Sequence, residues 1–153
     1  MSFLETRVPP PALAILSGYS IKVLAERLPE YTYDVPNRPY VAGGIAAVGL
    51  IINLKAIFDF RQHKTTISPF APNKSSTVVR DGVYGLTRNP MYLSLCFGLT
   101  AWGVWKKAPL GVGVIALFML YMTRFQIIPE ERALEANFGE EFTSYKKAVR
   151  RWI

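Results

Sequence analysis

The sequence contains a single cysteine, Cys96, and a single histidine, His63, and both shortages exclude functions. One cysteine cannot form an intrachain disulfide, and one histidine far from one cysteine gives no spacing that suits a zinc site. His63 lies between Gln62 and Lys64 and is interpreted as a solvated loop residue. Cys96 lies in an apolar run and is interpreted as a small buried thiol. We therefore expect no metal.

Motifs of several common enzyme classes are also missing from the sequence. The chain has no glycine-rich phosphate loop and no GxSxG nucleophile turn. With one histidine, a Ser/His/Asp set would have to use His63, and nothing in the sequence supports that arrangement. These absences argue against kinase and hydrolase chemistry.

Apolar and charged residues are both abundant, but they are segregated along the chain. Half of the 153 residues are hydrophobic and 19% are charged, and the mean hydropathy of +0.18 is high for a soluble protein. The net charge of +7 makes nucleic acid and anionic lipid the two partners to compare. Nucleic-acid-binding proteins carry a basic face on a soluble fold, whereas here the basic residues flank long apolar runs. The pattern favours a membrane lipid bilayer as the partner and no nucleic acid. The chain length predicts one domain, over residues 1–153.

Four apolar segments are candidates for crossing a bilayer, which takes about 20 residues per helix. They are residues 11–28, 40–60, 92–105 and 110–128. The first is the weakest because Lys22, Glu26 and Arg27 cluster near its end, and a helix lying on the membrane is the alternative there. Lys22 and Glu26 are four residues apart and are expected to pair. The link 106–109 is so short that the last two segments must form an antiparallel hairpin.

The distribution of lysine and arginine predicts which side of the membrane each loop occupies. One side receives the N-terminus, the 61–90 loop and everything from Arg124 onward. That side carries twelve basic residues: Arg7, Arg61, Lys64, Lys74, Arg80, Arg88, Arg124, Arg132, Lys146, Lys147, Arg150 and Arg151. The other side carries four: Arg27, Arg38, Lys106 and Lys107. Both termini and the 61–90 loop are therefore predicted to be cytosolic, in an inner or plasma membrane. The N-terminal segment lacks a signal-peptide pattern and is expected to be retained.

The predicted fold is all-α, an integral membrane bundle of about four transmembrane helices followed by a cytosolic amphipathic helix over residues 129–153. The 61–90 loop is expected to be ordered against the bundle, because it contains many aliphatic and aromatic residues. In the second segment, Gly43 with Ala47 and Ala42 with Ala46 are spaced to let a neighbouring helix approach closely. Lys55 and Asp59, four apart at the end of that segment, are expected to form an ion pair.

Polar residues mark the entry to the third segment and the exit from the fourth. Arg88 and Asn89 precede Pro90, which fits the first position of a helix with Asn89 as its N-cap. Glu130 and Glu131 directly follow a proline and would occupy a first helical turn. Taken singly, each residue has an ordinary explanation: Arg88 as an arginine that reaches to the membrane surface, Asn89 as a helix cap, and Glu130 and Glu131 as carboxylates at a helix start. The open ends of a hairpin meet on one side, however, so Arg88 and Glu131 are predicted to share one site.

These motifs, in this order between the spans, resemble the isoprenylcysteine carboxyl methyltransferase and phospholipid methyltransferase superfamily over about residues 65–153. The family pattern places GxY…R(H/N)PxY before one transmembrane helix and EExxL…FGxxYxxY…RW after the next. The matching residues are Gly82-Val83-Tyr84, Arg88-Asn89-Pro90-Met91-Tyr92, Glu130-Glu131-Arg132-Ala133-Leu134, Phe138-Gly139-Glu140-Glu141-Phe142, Tyr145 and Arg151-Trp152.

The resemblance implies S-adenosyl-L-methionine as cofactor, held in a cytosolic pocket by the loop before the third helix and by the acidic pair. The implied cofactor-binding residues are Ser76, Thr77, Val78, Val79, Tyr84, Asn89, Pro90, Met91, Tyr92, Glu130 and Glu131. The implied catalytic residues are Arg88, Arg124 and Glu131, with Arg88 a candidate for binding the carboxylate of cofactor or substrate. Prenylcysteine enzymes carry an arginine shortly before the acidic pair, where this chain has Gln126, with Arg124 two residues earlier. This departure leaves the substrate open.

By the same resemblance, the expected activity is methyl transfer to a lipid-soluble acceptor, a lipophilic small molecule or a prenylated one, at the cytosolic face. Carboxyl O-methylation of a prenylcysteine-like substrate ranks first, and N-methylation of a phospholipid amine ranks second. A carboxylate is ionised at neutral pH, whereas an amine must lose a proton, which a nearby glutamate could accept. Two rival hypotheses are a non-catalytic membrane protein that binds anionic lipid and a reductase-like relative that binds a nicotinamide cofactor.

Overall fold

The computed structural model describes residues 5–62 and 77–153. These residues form six α-helices, two 3₁₀ turns and one π-turn, without a β-strand. The α-helices are α1 (Pro10–Arg27), α2 (Arg38–Gln62), α3 (Pro90–Trp105), α4 (Gly111–Met122), α5 (Ile128–Phe138) and α6 (Glu140–Ala148). The 3₁₀ turns are Pro29–Tyr31 and Gly82–Gly85, and the π-turn is Thr123–Ile127. The all-α prediction is thus confirmed for the described part of the chain.

Within the described residues, two helices are long and apolar enough to cross a bilayer. They are α2 and the continuous helix Gly111–Phe138, which α4, the π-turn and α5 form together. Their most apolar windows are only 17% and 28% buried, unlike the core helix of a soluble protein. α2 turns Ile51, Leu54 and Phe58 outward, as suits a surface in contact with lipid.

The other two predicted spans form helices at the predicted positions but are less apolar or shorter. α3 has 16 residues, fewer than the roughly 20 that a bilayer requires. α1 has 18 residues and ends in charged side chains, where Lys22 and Glu26 form the predicted ion pair at 3.6 Å. The four-span arrangement therefore stays a prediction, while the two long apolar helices are typical of a membrane protein.

α3 is the central helix of the bundle and packs against α1, α2 and α4. The shared core contains Ile21 of α1, Cys96 and Leu99 of α3, and Phe118 and Met122 of α4. Each such side chain stabilises the bundle by about 1.5–3 kcal/mol when it is removed from water. Cys96 is a buried free thiol, as predicted.

α2 packs tightly against α3 at Gly49. A Cβ atom there would lie 2.7 Å from the Phe97 Cβ and 3.2 Å from the Ser94 carbonyl oxygen. Of the small residues predicted to make the close contact, Ala42 is buried at 6% exposure, whereas Ala46 and Ala47 are exposed and no described atom lies within 4 Å of a Cβ at Gly43.

α3 and α4 form the predicted antiparallel hairpin, since the chain beyond α4 returns to the start of α3. In the link, Lys107 adopts φ 58°, and the Ala108 N–H donates to the Gly103 carbonyl oxygen at 2.9 Å. The hairpin places residue 88, before α3, beside residue 131, after α4.

α5 carries Glu130 and Glu131 in its first turn, as predicted, but it follows the π-turn without a break in the helix that begins at Gly111. Proline lacks an N–H and its ring collides with the carbonyl of the preceding turn. The π-turn accommodates Pro129, and the Ile128 N–H donates to the Thr123 carbonyl oxygen five residues earlier. Glu130 and Glu131 therefore lie inside a continuous helix, and a free helix N-terminus does not explain them.

The segment 129–153 contains two helices and an extended tail where one helix was predicted. Gly139 separates α5 from α6 with φ +52°, a left-handed conformation that glycine adopts at little cost. α6 is amphipathic and buries Phe142 and Tyr145. Residues 149–153 are not helical and lie against the turn that precedes α3.

Candidate active site

A cavity of about 360 Å³ lies where the starts of α1 and α3 meet α5 and α6. It brings together most of the site residues that the sequence predicted: Thr77, Val78, Val79, Tyr84, Arg88, Asn89, Pro90, Met91, Tyr92, Glu130 and Glu131. Ser76, which was predicted with them, and His63 lie outside the described residues. The remaining lining is largely apolar or aromatic: Pro10, Pro11, Asn53, Phe60, Leu95, Ile127, Leu134, Phe142 and Tyr145.

Arg88 and Glu131 form a buried ion pair on the wall of this cavity. Arg88 Nη2 donates to Glu131 Oε1 at 2.7 Å, and both side chains are 10% exposed. Arg88 Nη1 donates to the carbonyl oxygens of Lys146 and Val149, each at 2.8 Å. Arg88 Nε is buried and has no hydrogen-bond partner among the described residues. The sequence argument that both ends of the hairpin share one site is therefore confirmed in its geometry.

Glu131 has a second cationic partner, Arg151. Arg151 Nε donates to Glu131 Oε1 at 3.0 Å and Arg151 Nη2 donates to Glu131 Oε2 at 2.7 Å. This forked contact raises the pKa of Arg151 above its usual value. Both oxygens of Glu131 are consequently occupied by guanidinium groups of the protein.

Glu130, the neighbouring carboxylate, has a different environment. The Tyr92 hydroxyl and Gln126 Nε2 both donate to Glu130 Oε1, each at 2.6 Å. No described residue donates a hydrogen bond to Glu130 Oε2. Gln126 is four residues before Glu130, and the π-turn that contains Gln126 directs it toward the same helix face. Glu130 is thus a carboxylate that lines the cavity and is oriented through one oxygen by two uncharged donors.

A tight turn before α3 supplies the aromatic part of the wall. Tyr84 packs on Phe60 with 5.0 Å between ring centroids. Asp59 accepts from the Val83 N–H at 3.3 Å and forms the predicted ion pair with Lys55 at 2.6 Å. The predicted ion pair of α2 is therefore confirmed, and it also holds the turn.

Asn89 occupies the predicted N-cap position of α3, but its side chain does not cap the helix. Its Nδ2 donates instead to the carbonyl oxygen of Arg151 at 2.9 Å. The Asn89 side chain therefore links the start of α3 to the tail after α6.

Arg124, which the sequence suggested as catalytic, is not among the residues that line the cavity. Its side chain is 56% exposed and pairs with Glu5 at 3.3 Å, on the outer face of the π-turn. Glu5 also pairs with Arg132 at 3.0 Å. The placement of Arg124 removes the geometric basis for its suggested catalytic role, and it acts instead as a contact for the N-terminal segment.

Sequence reasoning did not identify several cavity residues. Asn53 is an amide in the apolar run of α2. A polar residue within an apolar span is a signal from which Asn53 could have been predicted as a site residue. Phe60 and Phe142 carried no signal that separates them from ordinary packing residues. Burial raises the pKa of Tyr145, whose hydroxyl donates to the Tyr84 carbonyl oxygen at 2.7 Å.

Comparison with known proteins gives two matches. The family model described as phospholipid methyltransferase matches residues 37–141, more than half of the 153-residue chain. An uncharacterized protein of Haemophilus influenzae is 44% identical over 63 residues, which are 41% of this chain and 100% of that relative. No solved structure matches the chain.

Proposed function

The chain belongs to the phospholipid methyltransferase family, and we propose that it transfers a methyl group from S-adenosyl-L-methionine to a lipid-soluble acceptor at the membrane surface. One observation supports this most strongly. A single cavity at the end of two long apolar helices combines a guanidinium group, two carboxylates and an apolar wall. A site for a charged cofactor beside a lipid acceptor requires that combination.

The residues of the cavity fit S-adenosyl-L-methionine. Its volume of about 360 Å³ lies in the range of small-molecule sites, roughly 300–1,000 Å³. Glu130 Oε2 is an acceptor suited to an ammonium or ribose hydroxyl, and the orphaned Arg88 Nε is a donor suited to a carboxylate. When bound, the cofactor supplies a methyl group on a positively charged sulfur, which is open to attack by a nucleophile.

The protein's own residues would orient the reactants and exclude water. Methyl transfer needs the nucleophile, the methyl carbon and the sulfur in line, so much of the rate gain comes from positioning. Met91 and Val79 give an apolar wall that keeps water from the reacting atoms. Burial raises the pKa values of the Tyr84 and Tyr145 hydroxyls, so these groups stay protonated at neutral pH and do not act as bases.

For the acceptor, the geometry supports an amine before a carboxylate, which reverses the order suggested by sequence resemblance. An amine must lose a proton, and Glu130, a cavity carboxylate whose hydrogen-bond donors are uncharged, is the group that we propose accepts it. A carboxylate needs a cation that is not already neutralised, whereas the Arg88 and Arg151 guanidinium groups are paired with Glu131. Carboxyl O-methylation of a prenylcysteine-like substrate stays the second candidate, supported by the unpartnered Arg88 Nε.

We place the cavity and both termini on the cytosolic side of an inner or plasma membrane. The excess of lysine and arginine on that side supports this orientation. The N-terminal segment reaches the cavity end of the bundle, where the Thr6 N–H donates to the Phe125 carbonyl oxygen at 2.9 Å.

The experiment is a titration of the detergent-solubilised protein with S-adenosyl-L-methionine and, separately, with a reduced nicotinamide dinucleotide. It is followed by transfer of labelled methyl into amine-headgroup lipid or into a prenylated carboxylic acid. We expect binding of the first cofactor and label in the amine lipid. The Glu130→Gln variant should lose about 100-fold in kcat, the low end for removal of a general base. Glu140→Gln, an exposed control on α6, should match the wild type.

Other outcomes separate the rivals. Label in the prenylated acid, unaffected by Glu130→Gln, would favour the second acceptor. Binding of the nicotinamide cofactor alone would indicate a reductase. Binding of neither cofactor would leave a lipid-binding protein and contradict the proposal.

A further inference from the structure

Residues 149–152, here called the strap, leave α6 in an extended conformation and cross the turn before α3. Three strap carbonyls accept hydrogen bonds from three consecutive residues of that turn, and the first of them, Val149 O, accepts from Arg88 Nη1 at 2.8 Å. The Arg88 N–H donates to Arg150 O at 3.0 Å, and Thr87 Oγ1 and Asn89 Nδ2 donate to Arg151 O at 3.2 and 2.9 Å. The strap thus fixes the backbone on both sides of Arg88.

The side chain of Arg151 reaches past this turn to Glu131. Its Nε and Nη2 each donate to one of the two carboxylate oxygens, at 3.0 and 2.7 Å. Two parallel bonds from a planar guanidinium fix the orientation of a carboxylate as well as its position. Arg151 is not among the residues that line the cavity, whereas Glu131 is. The hydrogen bonds of the Arg151 guanidinium therefore reach the cavity wall through Glu131.

The far end of the strap is anchored in the core. Trp152 Nε1 donates to Thr123 Oγ1 at 3.1 Å, and the indole packs against the core cluster that contains Met122 and Ile127. Thr123 opens the π-turn that carries Gln126 toward Glu130. The strap therefore connects α6, the turn before α3 and the π-turn.

We infer that the strap is part of the cofactor site, with Arg151 as a positioning residue that holds Glu131. The inference rests on the proposed function, because it assigns the held side chain to cofactor binding. With Arg151 removed, Glu131 Oε2 loses its donor and Glu131 keeps only Arg88 as a cationic partner. Arg88 keeps its hydrogen bonds to the carbonyl oxygens of Lys146 and Val149, so the Glu131 carboxylate is the group that loses its fixed orientation toward the cavity.

The test compares Arg151→Ala with Arg150→Ala. Each variant removes one arginine side chain, and the two positions are adjacent. The backbone carbonyl oxygens that accept hydrogen bonds from residues 87–89 remain in both variants. The Arg150 side chain is exposed and forms no hydrogen bond or ion pair with the described part of the chain. We expect Arg151→Ala to raise the Kd for S-adenosyl-L-methionine about ten- to hundredfold, the scale of one lost charge-assisted hydrogen bond. Arg150→Ala should bind as the wild type does.

Chemical rescue separates positioning from general destabilisation. Millimolar guanidinium ion should restore much of the affinity of Arg151→Ala, with sodium chloride at equal ionic strength as control, and should not improve Arg150→Ala. Arg151→Lys, which keeps the charge but not the fork, should recover only part of the affinity.

Equal affinity of the Arg151→Ala and Arg150→Ala proteins would overturn the inference, as would weakened binding that guanidinium ion fails to improve. A wild type that binds no S-adenosyl-L-methionine would instead contradict the proposed function, so the two failures are distinguishable.

Discussion

Replacing Gly82 with alanine should destabilise the turn that brings Tyr84 to the cavity. Gly82 has φ +58°, and a Cβ atom there would lie 2.2 Å from Asp59 Oδ2 and 2.9 Å from Asp59 Cγ. Neither distance is tolerated, so the Asp59 carboxylate must move away. That carboxylate is 5% exposed and accepts from the Val83 N–H at 3.3 Å, so the movement also breaks a hydrogen bond of the turn.

The expected loss in the free energy of unfolding is the sum of two contributions. A left-handed backbone costs a residue with a Cβ about 1–2 kcal/mol relative to glycine. A lost hydrogen bond to a charged group costs about 1.5 kcal/mol at the low end of its range, which suits the long distance. Together they give about 3 kcal/mol, or a fall of roughly 6–12 °C in Tm for a chain of this size. The assay is thermal unfolding in detergent, with the Kd for the cofactor measured in parallel.

Two matched variants make this reasoning refutable. Gly85→Ala lies in the same turn, where a Cβ would lie 3.4 Å from the Arg80 carbonyl oxygen, and it should change stability by about 0.5 kcal/mol or less. Asp59→Ala removes the atoms that the new Cβ meets, so combining it with Gly82→Ala should cost less than the two single changes together. Equal Tm values for Gly82→Ala and Gly85→Ala, or strict additivity of the pair, would refute the proposed clash.

Three further changes have expected outcomes in the same assay. Gly49→Ala should lower the free energy of unfolding by about 1–3 kcal/mol, because the new methyl group overpacks against α3. Gly43→Ala should be neutral or stabilise α2 by up to about 1 kcal/mol. Equal effects of the two changes would contradict the packing described. Trp152→Phe should cost about 0.5–1.5 kcal/mol through the lost indole hydrogen bond, and no change would show that the bond contributes nothing. Glu131→Ala should cost about 3–5 kcal/mol, since it leaves the Arg88 guanidinium buried without its carboxylate; a fully stable variant would contradict the burial.

The sequence was sufficient to predict that Arg88 and Glu131 meet, because that prediction needs only two facts. The link 106–109 is too short for anything but a hairpin, and the two motifs stand at its open ends. Helix positions followed in the same way from apolar runs and flanking prolines. These inferences depend on chain connectivity and local pattern, both of which can be read without coordinates.

The direction in which individual side chains point could not be predicted from the sequence in this way. A regular helix turns about 100° per residue, so one extra residue in a π-turn changes which side chains face the cavity. Arg124 and Gln126 both lie in that turn, and the structure gives the inward position to Gln126 and the outward one to Arg124. The contacts of the strap could not be predicted for a related reason. A non-helical tail has no periodic sequence pattern, and the strap accepts hydrogen bonds through backbone carbonyl oxygens, which every residue possesses.

The adjacent carboxylates of α5 show how one short motif can divide two tasks. Neighbouring residues on a helix point about 100° apart, so Glu130 and Glu131 cannot share partners. Glu131 faces Arg88 and Arg151 and is neutralised by them, which makes it a structural centre joining α3, α5 and the strap. Glu130 faces Tyr92 and Gln126, uncharged donors that orient one oxygen. A carboxylate that is the fixed partner of two arginines is poorly suited to exchanging protons, so Glu130 is the proton acceptor in the proposed reaction, while Glu131 binds the Arg88 and Arg151 side chains.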